Sequence, residues 1–116
     1  MSVILLYHRV AQRPRDPFEL CTWPGVFVRQ LDWLHKHAEV LPLSELPRHG
    51  RHANSVFITF DDGYADNLHT AARALVERGL PASFFVTTQP VEKSELFWWD
   101  ALAEQALPRP RRLQAG

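Results

Sequence analysis

The chain has 116 residues, 46% of them hydrophobic, a length that suits one domain with a single core. Its 13 basic and 13 acidic side chains balance, so net charge does not predict binding to nucleic acid. A single cysteine, Cys21, excludes an intramolecular disulfide framework, and without an identifiable neighbouring base it indicates an inert thiol. No stretch has the length of a transmembrane segment and no signal peptide is recognisable, so we expect a cytoplasmic protein.

The first half of the sequence predicts a strand, a loop and a helix. The apolar run at 3–7 predicts a strand buried on both faces, as strands of parallel sheets are. Residues 11–24 lack periodicity and predict a long loop across one end of the domain. Pro24 signals the start of a helix, which should pack by one apolar stripe. That stripe consists of Phe27, Leu31, Leu34 and Ala38. Residues 40–41 predict a short strand, and 42–47 a brief helical turn.

The second half predicts two more strands, at 56–60 and 82–88, with a helix between them. Asp66 or Asn67 is the expected cap of this helix, and Gly79 its left-handed end. The expected buried stripe consists of Leu68, Ala72, Leu75 and Val76.

A last amphipathic helix is predicted at 97–107, so that one domain occupies 1–107 and a flexible tail occupies 108–116. The alternation of strands and helices predicts an α/β fold with a parallel sheet.

Two adjacent carboxylates, Asp61 and Asp62, follow the predicted strand at 56–60 and precede Gly63. Adjacent carboxylates are costly to place at a strand end unless a cation or a proton lies between them. One of them can bind a divalent metal while the other removes a proton from water. Taken in isolation, such a pair more often only caps the following turn. The surrounding sequence favours the first interpretation.

The string FITFDDGY at 57–64 resembles the TFDDGY motif of the polysaccharide deacetylase family, whose members are carbohydrate esterases. Other stretches resemble this family in the same order: LLYHRV at 5–10, the helix containing Phe27, and GLPASFFVTT at 79–88 followed by FWWD. The resemblance covers nearly the whole chain. It implies a partial distorted (β/α) barrel, with only the first few βα units present.

The resemblance implies that Asp61 is the catalytic base and that Asp62 is a ligand of a divalent metal, usually zinc. It also implies that His8 lies at the rim of the active site and that His8 and Tyr64 contact substrate. In such enzymes the metal polarises the acetamide carbonyl and activates water. The implied reaction is metal-dependent hydrolysis of N-acetyl groups on amino-sugar glycans, which releases acetate.

The sequence departs from the family because no HxxxH pair follows Asp62 to complete the metal site. His69 comes later in the chain, but it lies off the expected apolar stripe and should be a surface residue. The remaining histidines, apart from His8, precede the acidic motif without its spacing and are interpreted as solvated; they are His35, His37, His49 and His52. A partial barrel should be marginally stable, oligomeric or dependent on a missing C-terminal half.

Several residues keep two interpretations. His8 is either an active-site residue or a hydrogen-bonded histidine at a strand end, and Arg9 is a weaker candidate for substrate contact. Trp98 and Trp99 either stack on sugar rings or pack in the core or at an interface. The arginines of the tail are interpreted as solvated; they are Arg109, Arg111 and Arg112.

Two alternative functions follow from the missing histidines and from the acidic pair. The chain is either the first part of a deacetylase or a truncated, non-catalytic remnant that acts as a binding or assembly module. A magnesium phosphotransferase also places aspartates after a strand, but it requires a DxD spacing that Asp61 and Asp62 do not provide.

Overall fold

A computed structural model describes residues 1–48, 54–88 and 96–106. The strands are β1 (Val3–Tyr7), β2 (Arg9–Val10), β3 (Cys21–Thr22), β4 (Glu39–Val40), β5 (Ser55–Phe60) and β6 (Ser83–Phe84). The helices are α1 (Pro24–His37), a 3₁₀ helix (Leu43–Glu45), a π-helical segment (Asn67–Ala72), α2 (Arg73–Glu77) and α3 (Trp98–Ala106). The predicted α/β architecture with a parallel sheet is confirmed.

β5 is the centre of the main sheet. β1 runs parallel to it along its length, from the pair Val3 and Val56 to the pair Tyr7 and Phe60. β4 pairs with the beginning of β5 and β6 with its end, so these two short strands share the other edge of β5. The carboxyl-terminal ends of β1, β5 and β6 therefore lie next to one another at the same end of the sheet.

β2 and β3 form a second, two-stranded parallel sheet, in which Arg9 pairs with Cys21. The prediction that residues 11–24 form one long loop was therefore wrong at its end, because Cys21 and Thr22 pair with β2. Isolated two-residue strands carry too little periodicity to be recognised in a sequence.

β1 is less buried than its apolar sequence predicted. The exposed fractions of Val3, Ile4 and Leu6 are 42%, 52% and 54%. The prediction of burial on both faces was wrong because, in the described part of the chain, these side chains lack a covering layer of packed residues.

α1 begins at Pro24, where the missing N–H of proline costs no helical hydrogen bond, and it packs by the predicted stripe. Phe27 and Leu31 are fully buried and Leu34 is 6% exposed. Each such side chain stabilises the fold by roughly 1.5–3 kcal/mol. Phe27 also meets the Tyr7 ring edge to face at 5.1 Å, and this aromatic contact lies directly under the sheet edge where the strands end.

The helix after β5 has a different buried face from the predicted one. Its buried residues are Asn67, Ala71, Ala74 and Leu75, whereas Leu68 and Val76 are 68% and 78% exposed. The π-helical turn starts this stripe at a polar residue, Asn67, which an apolar pattern cannot reveal. Neither Asp66 nor Asn67 caps the helix with its side chain, which corrects a second expectation.

The ends of the remaining elements partly match the sequence. Gly79 ends α2 with φ +62°, as predicted. The strand predicted at 82–88 is regular only over Ser83–Phe84, and α3 runs within the predicted range.

The predicted tail, its arginines, His49 and His52 lie outside the described residues. No helix in the described ranges is long and apolar enough to cross a membrane.

Candidate active site

The acidic turn, defined as residues 61–63, follows β5 and is held by backbone hydrogen bonds from both neighbouring strands. The Asp61 N–H donates to the Tyr7 carbonyl at 3.0 Å, which attaches the turn to the end of β1. The Thr87 N–H donates to the Asp62 carbonyl at 3.3 Å, beyond the end of β6. Within the turn, the Gly63 N–H donates to the Asp61 carbonyl at 3.0 Å. Three strand ends therefore fix the position of the acidic pair.

The turn contains two consecutive residues in the left-handed region, Asp62 with φ +77° and Gly63 with φ +83°. A side chain at position 63 would have its Cβ 2.8 Å from Cγ1 of Val86, closer than such atoms approach in proteins. Glycine is therefore required here by conformation and by space. Asp62 is a non-glycine residue in the same region, and strained backbone of this kind concentrates at functional sites.

The two carboxylates have unequal surroundings. Asp62 Oδ2 lies 2.8 Å from Nδ1 of His8, the residue that follows β1. Asp61 makes no side-chain hydrogen bond to any residue of the described ranges. Among the described residues neither carboxylate bonds to the turn that follows it, because that of Asp62 reaches across to His8 and that of Asp61 has no side-chain partner there. In the described part of the chain, one carboxylate is thus held by a hydrogen bond and its neighbour is not.

Asp66, which the sequence interpretation treated only as a helix cap, is central to the support of the site. Its Oδ2 accepts hydrogen bonds from Nε and Nη2 of Arg9 at 3.0 and 2.9 Å, and its Oδ1 accepts from the Val10 N–H at 2.9 Å. The side chains of this ion pair are 15% and 14% exposed. The Arg9 guanidinium also lies 4.1 Å from the centre of the Tyr64 ring, a cation–π contact. The guanidinium is thus engaged on both sides, and its predicted contact with substrate stays a prediction.

Tyr64 links the acidic turn to α3. Its hydroxyl donates to Asp100 Oδ2 at 2.8 Å and accepts from Trp99 Nε1 at 2.7 Å, and the residue is only 9% exposed. Burial, together with the nearby Asp100 carboxylate, raises the pKa of Tyr64 far above its ordinary value, although the Trp99 hydrogen bond opposes this. The substrate contact predicted for Tyr64 stays a prediction, and it would require the hydroxyl to exchange one of these partners.

Trp98 and Trp99 have different environments. Trp98 is 72% exposed, while Trp99 stacks on Phe97 at 4.7 Å and donates to Tyr64. Trp99 therefore packs against other residues, whereas Trp98 is not a core residue, and stacking on sugar or an interface at Trp98 stays a prediction. The two rings touch edge to face with their centroids 5.4 Å apart, but only Trp99 is directed at Tyr64.

The remaining chemically capable residues lie away from the acidic turn or have structural contacts. His69 is exposed on the helix, as predicted. Burial raises the pKa of the Cys21 thiol, which agrees with the prediction of an inert residue. Asn67, 4% exposed, donates to the Asp61 carbonyl at 3.4 Å beneath the turn. Its place in the site was missed because its only sequence signal was a polar residue next to the acidic motif.

The described side chains do not by themselves form a metal site. Within residues 1–48, 54–88 and 96–106, no three His, Cys, Asp or Glu side chains converge as a ligand set. Asp62 can offer Oδ1 fully, whereas Oδ2 shares one of its lone pairs with His8. Structural and catalytic zinc sites use at least three protein ligands, so the donor set is incomplete.

Comparison with known proteins agrees with this geometry. The family model of polysaccharide deacetylases matches residues 48–109, more than half of the chain. No curated protein matches the chain significantly.

Several solved structures share the fold. IcaB from Ammonifex degensii is 28% identical with a TM-score of 0.64, over 73% of this chain and 37% of IcaB. The deacetylase PplD of Streptococcus pyogenes, solved with acetate, is 25% identical with a TM-score of 0.66, over 79% of this chain and 45% of PplD. The polysaccharide deacetylase BC0361 from Bacillus cereus, 23% identical with a TM-score of 0.62, shares the fold over 73% of this chain and 29% of its own. The chain thus spans less than half the length of these relatives.

Proposed function

Because the chain belongs to the polysaccharide deacetylase family, we propose that its acidic turn is part of a site that hydrolyses N-acetyl groups on amino-sugar glycans. The observation that carries this proposal is the asymmetry of the two carboxylates. Asp62 is bonded to His8, whereas Asp61 has no side-chain partner in the described ranges. A carboxylate with free lone pairs is suited to accept a proton from water, and a held carboxylate is suited to a fixed role.

In this proposal Asp61 is the general base. It takes a proton from the water that attacks the acetamide carbon, and this proton passes on to the sugar nitrogen as the carbon–nitrogen bond breaks, which yields acetate and an amine. The acetate found with the similar PplD is the product expected of this reaction. Asp61 emerges at the carboxyl end of β5, where parallel sheets place their ligands.

A divalent metal, with zinc the first candidate, belongs to the same proposal. Asp62 would hold it through Oδ1, and the other ligands would have to come from outside the described residues. The donors among the described residues are too few to complete the coordination of this metal. We also propose the partial distorted barrel, because β1 pairs with β5 alone among the described residues and its other edge could pair with a further strand. The predicted oligomeric state and cytoplasmic location stay predictions.

The test is acetate release from an N-acetylated chito-oligosaccharide by the purified chain, with added Zn²⁺ and then with a chelator. Asp61→Asn should abolish acetate release and leave the midpoint of urea unfolding unchanged. The matched control is Glu39→Gln, which neutralises an exposed carboxylate on β4. Calorimetric titration with Zn²⁺, compared with Asp62→Ala, reports binding without turnover. Zn²⁺ binding without acetate release, or neither, would favour the alternative of a non-catalytic binding or assembly module.

A further inference from the structure

α3 has apolar residues on two of its faces, and the described part of the chain covers only one of them. Trp99 and Ala103, four residues apart, lie on the inner face, where Trp99 stacks on Phe97 and Ala103 is 8% exposed. Trp98 and Leu102, also four residues apart, lie on the outer face and are 72% and 47% exposed. A surface helix ordinarily has one apolar stripe, so the outer pair requires a separate explanation.

The start of α3 is attached to the residue that follows the acidic turn. Trp99 Nε1 donates to the Tyr64 hydroxyl at 2.7 Å, and this hydroxyl donates to Asp100 Oδ2 at 2.8 Å. The Phe97 ring lies 5.0 Å from the Tyr64 ring. The residues on both sides of Trp98 thus contact Tyr64, which places Trp98 next to the acidic turn while its own side chain is exposed.

The Trp98 ring has uncovered surface that a ligand can contact. Its centroid lies 5.4 Å from that of Trp99, and the planes of the two rings meet at 82°. A perpendicular contact of this kind covers only a small part of the ring, in agreement with its high exposure. An indole offers an apolar flat face and, at its edge, one N–H donor.

The size of the outer face favours a small ring over a second copy of the chain. Burial of a whole tryptophan side chain covers about 150–250 Å². A stable protein interface needs about 800 Å² from each partner, so Trp98 and Leu102 together fall well short of it. One side of a sugar ring carries C–H groups that suit the flat face of an indole, and its hydroxyls suit the indole N–H.

We propose that Trp98 is a sugar-binding subsite beside the acidic turn, on which a ring next to the reacting amino sugar stacks. This proposal rests on the proposed function, because that function brings an amino-sugar glycan to Asp61. It requires neither a metal nor a residue outside the described ranges. Trp98 contacts the glycan away from the reacting atoms, so it contributes to affinity and not to the chemical step.

The test begins with binding of an N-acetylated chito-oligosaccharide, followed by proton–nitrogen NMR without added metal. The chain has four tryptophans, and substitution assigns each indole signal. We expect the Trp98 indole signal and the Gly63 amide signal to shift along one saturation curve. Acetate release is then measured in the same samples after addition of Zn²⁺, so that binding and hydrolysis are recorded separately.

Three variants separate the stacking surface from general effects of substitution. Trp98→Ala should raise the Kd about tenfold because the stacking surface is lost, and Trp98→Phe should raise it less because a smaller ring remains. Trp33→Ala is the matched control, since Trp33 is 59% exposed on α1 and should leave the Kd unchanged. Because both tryptophans are exposed, all three variants should keep the urea midpoint of the wild type.

The outcomes distinguish failure of the subsite from failure of the proposed function. A shift at Gly63 without one at Trp98, at equal Kd in Trp98→Ala, would overturn the subsite and leave the proposed function standing. The expected shifts and Kd values without acetate release would support the subsite and contradict hydrolysis. If the sugar shifts no signal, or if protein concentration alone shifts the Trp98 signal, the subsite is wrong, and acetate release decides the proposed function independently.

Discussion

The acidic turn can be tested through the glycine that completes it. Gly63→Ala should destabilise the chain in two ways, and the structure separates them. The left-handed backbone, at φ +83°, costs about 1–2 kcal/mol for any side chain. The new methyl group would also meet Val86 Cγ1 at 2.8 Å, and overpacking of this kind adds about 1–3 kcal/mol. We therefore expect a total loss of about 2–5 kcal/mol.

Gly79→Ala is the matched control, because Gly79 has φ +62° and no atom within 4 Å of the position where a Cβ would lie. Its free energy of unfolding should fall only by the cost of a left-handed backbone at a residue with a side chain, about 1–2 kcal/mol. Gly25→Ala should instead gain about 0.5–1 kcal/mol, because this position is in α1 and equally open.

Val86→Ala should rescue Gly63→Ala in part, because it removes the methyl group at 2.8 Å. Val86 is 54% exposed, so its own truncation should change the free energy of unfolding by less than about 1 kcal/mol. Urea unfolding followed by tryptophan fluorescence measures all of these variants and the coupling in the double mutant. The free energy of unfolding should fall more in Gly63→Ala than in Gly79→Ala, and Val86→Ala should restore part of it. If either result failed, the packing of the turn against the end of β6 would be wrong.

Three further predictions use the same unfolding assay. Asp66→Asn should cost about 3–5 kcal/mol, because it leaves the Arg9 guanidinium buried without its counter-charge, and a loss under about 1 kcal/mol would contradict that ion pair. Leu75→Ala should cost about 2–5 kcal/mol and Leu68→Ala less than about 1 kcal/mol, and the reverse order would restore the helix face expected from the sequence. Because the pKa of Tyr64 is raised in the folded state, stability should be full below about pH 10 and fall as the pH rises beyond it, where only the unfolded tyrosine ionises. Tyr64→Phe should reduce this alkaline loss to the part that comes from Tyr7, whose pKa burial also raises, and an unchanged pH profile would argue against the burial of the Tyr64 hydroxyl.

The elements with strong local patterns were predictable from the sequence. α1 has apolar residues at helical spacing after a proline, and its stripe at Phe27, Leu31 and Leu34 is the buried one. β5 is a β-branched and aromatic run, and its end coincides with the acidic pair. Each of these patterns depends on residues close together in the sequence. Such a pattern predicts the element correctly when the tertiary contacts favour the same structure.

The faces and partners of other elements depended on contacts between distant residues. The helix after β5 buries Asn67 through a π-helical turn. The spacing of apolar residues cannot predict this change of the buried face. β1 has the composition of a central strand but lies at an open edge in the described part, because burial depends on which strands pair with it. A sequence pattern records which side chains can be buried, and it does not record what covers them.

The candidate site divides in the same way. The sequence by itself determined that two carboxylates follow β5, because the motif and its strand are contiguous. Only the tertiary structure decided that Asp62 is held by His8, 54 residues away, and that Asp66 pairs with Arg9 across 57 residues. These partners meet because parallel pairing brings the carboxyl ends of β1 and β5 to the same edge of the sheet, and pairing between strands is a long-range choice that no local pattern encodes.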